Sequence, residues 1–239
     1  MTGPLAERTA AVVGGSRGIG LATAQALAGA GARVALLARQ AETLALAAAA
    51  LPGNAVPIVC DVRDSAAVTR AVAELTSEFG EAPHIVVCAA GVFPLAPVSE
   101  TEPAEFADAL AANLLGPFLL VRALLPAMLD RKYGHLVLIG SVADRYIYPG
   151  NGAYAATKFG ARALWEVLRL ELRGTGVRTT LVAPGPTDTQ IWDAHDPDAP
   201  PGFLPRAAML RPAAIGDAVC YAVTRPAGVN VDELRVSPA

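Results

Sequence analysis

Thr9-Ala10-Ala11-Val12-Val13-Gly14-Gly15-Ser16-Arg17-Gly18-Ile19-Gly20 is the stretch that decides the fold. Its apolar half reads as a buried strand. With no spacer the chain enters glycines spaced Gly-x-x-x-Gly-x-Gly, and an alanine- and leucine-rich helical pattern follows. Glycines clustered between a strand and a helix carry meaning that isolated glycines do not. They let backbone approach an anion closely, and the free N–H groups and dipole at the helix start favour negative charge. A tight strand–helix turn with no ligand is the plainer alternative for glycines alone.

Outward from this turn, short Val/Ile-rich runs alternate with helical patterns along the chain. The strands expected are Thr9–Val13, Arg33–Leu37, Ala55–Cys60, His84–Cys88, His135–Gly140, Arg178–Val182 and Val231–Val236. Helices fill the gaps, at about Gly18–Gly31, Ala41–Leu51, Ser65–Phe79, Pro103–Asp130, Ala153–Gly174 and Pro212–Thr224. That order predicts a single α/β domain over residues 1–239: a doubly wound, seven-stranded parallel sheet of Rossmann type with helices on both faces. Its ligand crevice lies beyond the carboxyl ends of the strands, where strand order reverses. Gln190–Arg211, rich in Asp and Pro and carrying Trp192, His195 and Phe203, is too long for a plain connector and reads as a substrate lid.

Bulk properties narrow the function. Net charge is −3 with no basic cluster, which argues against nucleic acid as a partner. Met1–Ala10 has no apolar signal core, and the apolar run Leu110–Leu129 is broken by Asn113, Gly116, Pro117, Arg122 and Pro126. That run reads as a buried helix and not as a membrane span. Cys60, Cys88 and Cys220 are odd in number and widely spaced, the pattern of core thiols in a cytoplasmic protein, and no metal-ligand spacing occurs.

The end of the second strand specifies the anion. Sites for NAD place an acid there for the ribose 2′-hydroxyl; this chain has Ala38 and Arg39. Arg39, with Arg17 in the glycine turn, can clasp a 2′-phosphate through charge-assisted bonds. The reading is NADP(H), held by Gly14, Ser16, Arg17, Gly18, Ile19, Gly20 and Arg39.

Tyr154 and Lys158 lie four apart, on one helix face. A phenol beside an ammonium can act as an acid or base near neutrality if its pKa drops roughly 2–3 units. Ser141, after strand five, can bind a substrate oxygen. Asn113 sits in a long helix, where Pro117 removes the donor to its carbonyl, so that a bound water could relay protons to Lys158.

Assembled, these residues make the chain resemble the short-chain dehydrogenase/reductase family over nearly its whole length. The resemblance implies a catalytic tetrad of Asn113, Ser141, Tyr154 and Lys158. Tyr154 would be the general acid/base, Lys158 would bind the nicotinamide ribose and lower the Tyr154 pKa, and Ser141 would position substrate. It implies adenine contacts at Asp61 and Val62, cleft contacts at Ala89, Ala90 and Gly91, and carboxamide contacts along Pro184, Gly185, Thr187 and Thr189. A homodimer or homotetramer is implied too. The chain departs from the family at Val13, where Thr is usual, and at Cys88-Ala89-Ala90-Gly91, where Asn-Asn-Ala-Gly is usual.

The function expected is an NADPH-dependent carbonyl reductase or alcohol dehydrogenase acting on a small apolar or aromatic ketone or alcohol. The pocket is drawn by position from Phe93, Pro94, Leu95, Val142, Tyr146, Tyr148, Trp192, His195, Phe203 and Met209. His195 reads as solvated and Arg145 as a surface charge. A 3-oxoacyl-thioester reductase, with Arg131, Lys132 and Arg173 docking an acidic carrier protein, is one alternative. A catalytically silent NADP(H)-binding protein is another.

Overall fold

A computed structural model describes residues 3–53, 55–198 and 203–239. Seven parallel strands form one sheet in the order β3-β2-β1-β4-β5-β6-β7. They are β1 (Thr9–Val13), β2 (Arg33–Ala38), β3 (Val56–Val59), β4 (Ile85–Cys88), β5 (Gly134–Ile139), β6 (Val177–Pro184) and β7 (Glu233–Val236). The order reverses between β1 and β4, which places the crevice above their carboxyl ends. β3 is an edge strand, so Pro57, which lacks an N–H, is accommodated there.

The sheet is buried on both faces. One face packs against α3 (Ser65–Phe79), α5 (Gly116–Arg131) and α6 (Gly152–Glu171) through Leu75, Leu120, Leu124, Met128 and Trp165. The other packs against α1 (Gly18–Gly29), α2 (Ala41–Ala49) and α7 (Pro212–Val223) through Leu27, Leu44, Ile215 and Val219. Continuous apolar runs such as Ile85–Cys88, buried throughout, are what a two-sided parallel sheet requires.

The helix expected over Pro103–Asp130 is interrupted. It divides into α4 (Pro103–Leu110) and α5, joined by a π-turn at Ala111–Leu115 in which the Gly116 N–H donates to Ala111 O, five residues back. Pro117 cannot donate to the Asn113 carbonyl, and the wider turn absorbs the break. Pro103–Arg131 is also the one stretch long and apolar enough to cross a membrane among the described residues, and here it packs on the sheet through its buried face.

Candidate active site

The nucleotide end is shaped by backbone meeting backbone. Gly14 has φ +81°, and a Cβ there would stand 2.6 Å from the Ala90 N. A Cβ at Gly20 would stand 2.1 Å from the Gly14 carbonyl oxygen. The turn after β1 is thus folded onto the first turn of α1 and against the turn after β4, and only glycine allows either approach. The result is a cleft of about 1100 Å³ out to its open mouth.

Gly14, Ser16, Arg17, Gly18, Ile19 and Gly20 line it, as do Arg39, Asp61, Val62, Ala89, Ala90, Gly91 and Thr189. Arg17 and Arg39 are exposed, and neither takes part in an ion pair among the described residues. Two guanidinium groups left without carboxylates beside a glycine-turn helix start fit a dinucleotide that bears an extra phosphate.

Pro184, Gly185 and Thr187, expected to meet the nicotinamide carboxamide, are not among the residues lining this cleft. Pro184 and Gly185 are buried against the C-terminal tail, where the Gly185 N–H donates to Val236 O at 2.7 Å. Thr187 is buried, and its hydroxyl donates to Gly185 O at 2.9 Å. Tyr154 and Lys158 are off this wall as well. Asp61 is on it but engaged: Arg63 grips both its oxygens, at 2.9 Å and 2.6 Å, and reaches Asp108. That pairing holds the Asp61 carboxyl below the usual carboxylate range. Sequence reading missed Gln40, Arg63, Gln190 and Ile191 on the wall; each adjoins or nearly adjoins a residue it named.

Asn113, Ser141, Tyr154 and Lys158 converge at the other end. Asn113 is buried in the π-turn, and its side chain, of which the sequence reading made nothing, is fully engaged. Its Oδ1 accepts from the Val92 N–H at 2.8 Å, and its Nδ2 donates to Val92 O at 2.9 Å and to Thr157 Oγ1 at 3.0 Å. Thr157 in turn donates to the Tyr154 carbonyl at 2.7 Å, so the loop after β4 is tied to the helix carrying Tyr154. Ser141, extended at the end of β5, presents its hydroxyl to the Tyr154 phenol. Lys158 Nζ donates to Ile139 O at 3.1 Å and stands 5.4 Å from the centre of the Tyr154 ring.

The drop expected for the phenol is absent from the protein alone. Burial pushes Tyr154 up to about 12, with the Ser141 hydrogen bond pulling the other way. Burial pushes Lys158 down to about 8. Both charged forms lose hydration here, and the ammonium faces a carbonyl instead of the phenol oxygen.

Asp144, unnoticed in the sequence, is a further charge at this end. It is buried, neither oxygen has a hydrogen-bond partner among the described residues, and its nearest cations are Arg162 Nη1 at 3.7 Å and Arg145 Nε at 4.0 Å. Burial raises its pKa, and its charge raises those of Tyr154 and Lys158. A signal was available: Tyr154, Lys158 and Arg162 repeat at intervals of four, which carries the charged stripe one turn further along α6.

Aromatic rings pack beside Tyr154, which is half-buried. Phe93 packs edge-on against Tyr154 at 4.7 Å and Trp192 at 5.3 Å; Trp192 meets Phe203 at 5.2 Å, and Phe203 meets Tyr148 at 5.6 Å. His195, expected to be solvated, is half-buried with Nε2 2.9 Å from Phe93 O. Pro94 and Leu95 line a second cavity beside Phe93. Tyr146 is outside the group, 64% exposed beneath the Arg235 guanidinium, and Arg145 pairs with Glu233. Residues 199–202 of the 190–211 segment lie outside the described residues.

Residues 8–200 match the short chain dehydrogenase family. The chain belongs to that family. This short-chain dehydrogenase is 36% identical over 99% of its length to a protein of Emericella nidulans named glycine betaine reductase, and spans 19% of that larger protein. It is similar to the alcohol dehydrogenase of the archaeon Thermococcus sibiricus, solved with 5-hydroxy-NADP (TM-score 0.87, 28% identity, 97% of this chain and 96% of that one). A metagenomic short-chain oxidoreductase solved with NADP is 32% identical, with TM-score 0.84 and 99% of both chains covered.

Proposed function

We propose that this short-chain dehydrogenase is an NADPH-dependent carbonyl reductase, working in reverse as an alcohol dehydrogenase, on small apolar or aromatic ketones and aldehydes. The observation that carries the reading is the half-buried Tyr154, with the Ser141 hydroxyl and the Lys158 ammonium beside it, in a fold whose nucleotide cleft holds Arg17 and Arg39 free of ion pairs among the described residues. NADP(H) bound there supplies the hydride carrier, and relatives solved with NADP or its analogue support that choice of cofactor. Arg17 and Arg39 clasp the 2′-phosphate, and the glycine turn takes the pyrophosphate. Ser141 donates a hydrogen bond to the carbonyl oxygen, Tyr154 delivers its proton to the same oxygen as the alcohol forms, and Lys158 offsets the phenolate left behind. Asn113 holds the loop after β4 and the Tyr154 helix in fixed relation, and the 190–211 segment is the lid.

The test is NADPH consumption across aldehydes, ketones, diketones and oxoacyl esters, beside dissociation constants for NADPH and NADH. Turnover with preference for NADPH supports the reading. Tight NADPH binding with no turnover makes the protein a silent binder, and preference for NADH removes the roles of Arg17 and Arg39. Carrier-protein docking is disfavoured because Arg131 is committed to Glu81 at 2.8 Å and to the Ala82 carbonyl at 2.7 Å.

A second reading, a carbonyl substrate bearing a quaternary ammonium group, is favoured by Glu105 on the cavity beside the aromatic rings and by the fungal relative's name. Higher kcat/KM for a trimethylammonio aldehyde than for its neutral tert-butyl isostere would establish it, and equality would dismiss it. A homodimer or homotetramer fits Phe118 on α5 and Phe159, Val167 and Leu170 on α6, all left exposed. Light scattering of the purified protein decides that point.

A further inference from the structure

The turn after β3 carries Asp61, Val62 and Arg63, all on the wall of the nucleotide cleft. It is held from several directions. Val62 is buried against Gly116 at the start of α5, the Asp64 N–H donates to Asp61 O at 3.2 Å, and Arg63 reaches across to Asp108 on α4.

Arg63 is the centre of that arrangement. Its backbone N–H and Nε donate to Asp61 Oδ1 at 3.0 Å and 2.9 Å, its Nη2 donates to Oδ2 at 2.6 Å, and its Nη1 donates to Asp108 Oδ1. A guanidinium fork on both oxygens fixes the plane of the carboxylate. An ionised carboxylate only accepts, and Asp61, with a side chain 32% exposed, keeps acceptor capacity open on the cleft wall.

What meets that acceptor follows from the sheet. β2 and β3 lie side by side, with the Cys60 N–H donating to Ala38 O at 2.9 Å, so Arg39 and Asp61 stand at adjacent strand ends. With the 2′-phosphate at Arg39, the base on the same ribose falls beside Asp61. Adenine offers a 6-amino donor there, whereas a 6-oxo purine would set an acceptor against a carboxylate.

We propose that Arg63 is a positioning residue for the cofactor's base: by holding the Asp61 carboxylate as a fixed acceptor on the cleft wall, it makes the site select a 6-amino purine over a 6-oxo purine. The proposal rests on NADP(H) as the cofactor of this crevice. Ion pairs this open to water add little to stability, so the fold stands without Arg63.

The experiment measures dissociation constants by calorimetric titration for NADPH and for deamino-NADPH, which carries hypoxanthine in place of adenine. The proteins are the wild type, Arg63→Ala, Arg63→Lys and Asp61→Asn. The wild type should favour NADPH about tenfold, the lower end for a hydrogen bond to a charged group. That ratio should fall to about one in Arg63→Ala and in Asp61→Asn, whose amide both accepts and donates. Arg63→Lys, a point charge with no fork, falls between. Arg63→Ala that weakens both nucleotides equally gives Arg63 a merely structural role and overturns the proposal. So does a ratio lost in Asp61→Asn but kept in Arg63→Ala, or a wild type that favours deamino-NADPH, which would put the guanidinium itself on the base. The NADH and deamino-NADH pair separates this from the reading of Arg17 and Arg39. Preference for NADH would remove those two roles, and the amino-to-oxo ratio would still read Arg63. Binding of none of the four nucleotides overturns the cofactor reading and the proposal with it.

Discussion

At the nucleotide end of the crevice the contacts are between backbone atoms, Gly20 against the Gly14 carbonyl and Gly14 against Ala90; at the chemical end they are between rings, Phe93 against Tyr154 and Trp192. The first kind of wall is rigid and preformed, because a missing Cβ leaves no side chain to move. The second is made of side chains, which can change rotamer. One end is built to hold a constant ligand and the other to discriminate among variable ones.

Breaking the rigid end should have the largest effect. Gly20→Ala places a methyl group 2.1 Å from the Gly14 carbonyl oxygen, with backbone on both sides. It is expected to cost about 3 kcal/mol or more and roughly 6–12 °C in melting temperature, with NADPH binding abolished in a calorimetric titration. Normal binding would show that the turn adapts.

Asn113→Leu follows. It leaves the Val92 N–H and carbonyl without partners and unties Thr157. Turnover should fall on the order of 100-fold, through the displaced loop and at about 1–3 kcal/mol per orphaned group. NADPH affinity should stay within about threefold, since the glycine turn is untouched. Unchanged turnover would detach Asn113 from the chemistry.

Arg39→Ala acts only on the constant ligand. The NADPH dissociation constant should rise about 10–100-fold, the worth of a hydrogen bond to a charged group, while that for NADH stays level. Equal loss for both cofactors would contradict a 2′-phosphate contact.

Asp144→Asn should have the smallest effect and sharpens the chemical end. Loss of its negative charge lowers the pKa of Tyr154 and of Lys158, because the carboxylate raises both. In alcohol oxidation the phenolate is the base, so the acid limb of the pH–rate profile should move to lower pH. An upward move would reverse the assigned sign.

The same contrast explains what could be read in advance. The alternation of strands and helices, the glycine turn, Arg39 and the Tyr154–Lys158 pair follow from local spacing, and spacing is a property of sequence. Pro117 pointed to a break near Asn113, although the π-turn and the side-chain clamp on Val92 depend on a loop 21 residues away in the chain. The aromatic group joins Phe93 to Trp192 and Phe203 across two separate segments, and no spacing encodes it. The Thr187 hydroxyl closes a local turn onto the Gly185 carbonyl, which no spacing announces. Tyr154 was expected to be acidic beside Lys158, whereas loss of hydration, which no motif records, pushes its pKa up.

The central claim is that the Tyr154 phenol delivers the proton. Tyr154→Phe removes one oxygen and keeps the ring that packs on Phe93, so the fold and the nucleotide cleft stay as they are. Steady-state reduction should fall roughly 10²–10⁴-fold, the usual contribution of a positioned acid, with the NADPH dissociation constant unchanged. Wild-type turnover by Tyr154→Phe would contradict the account.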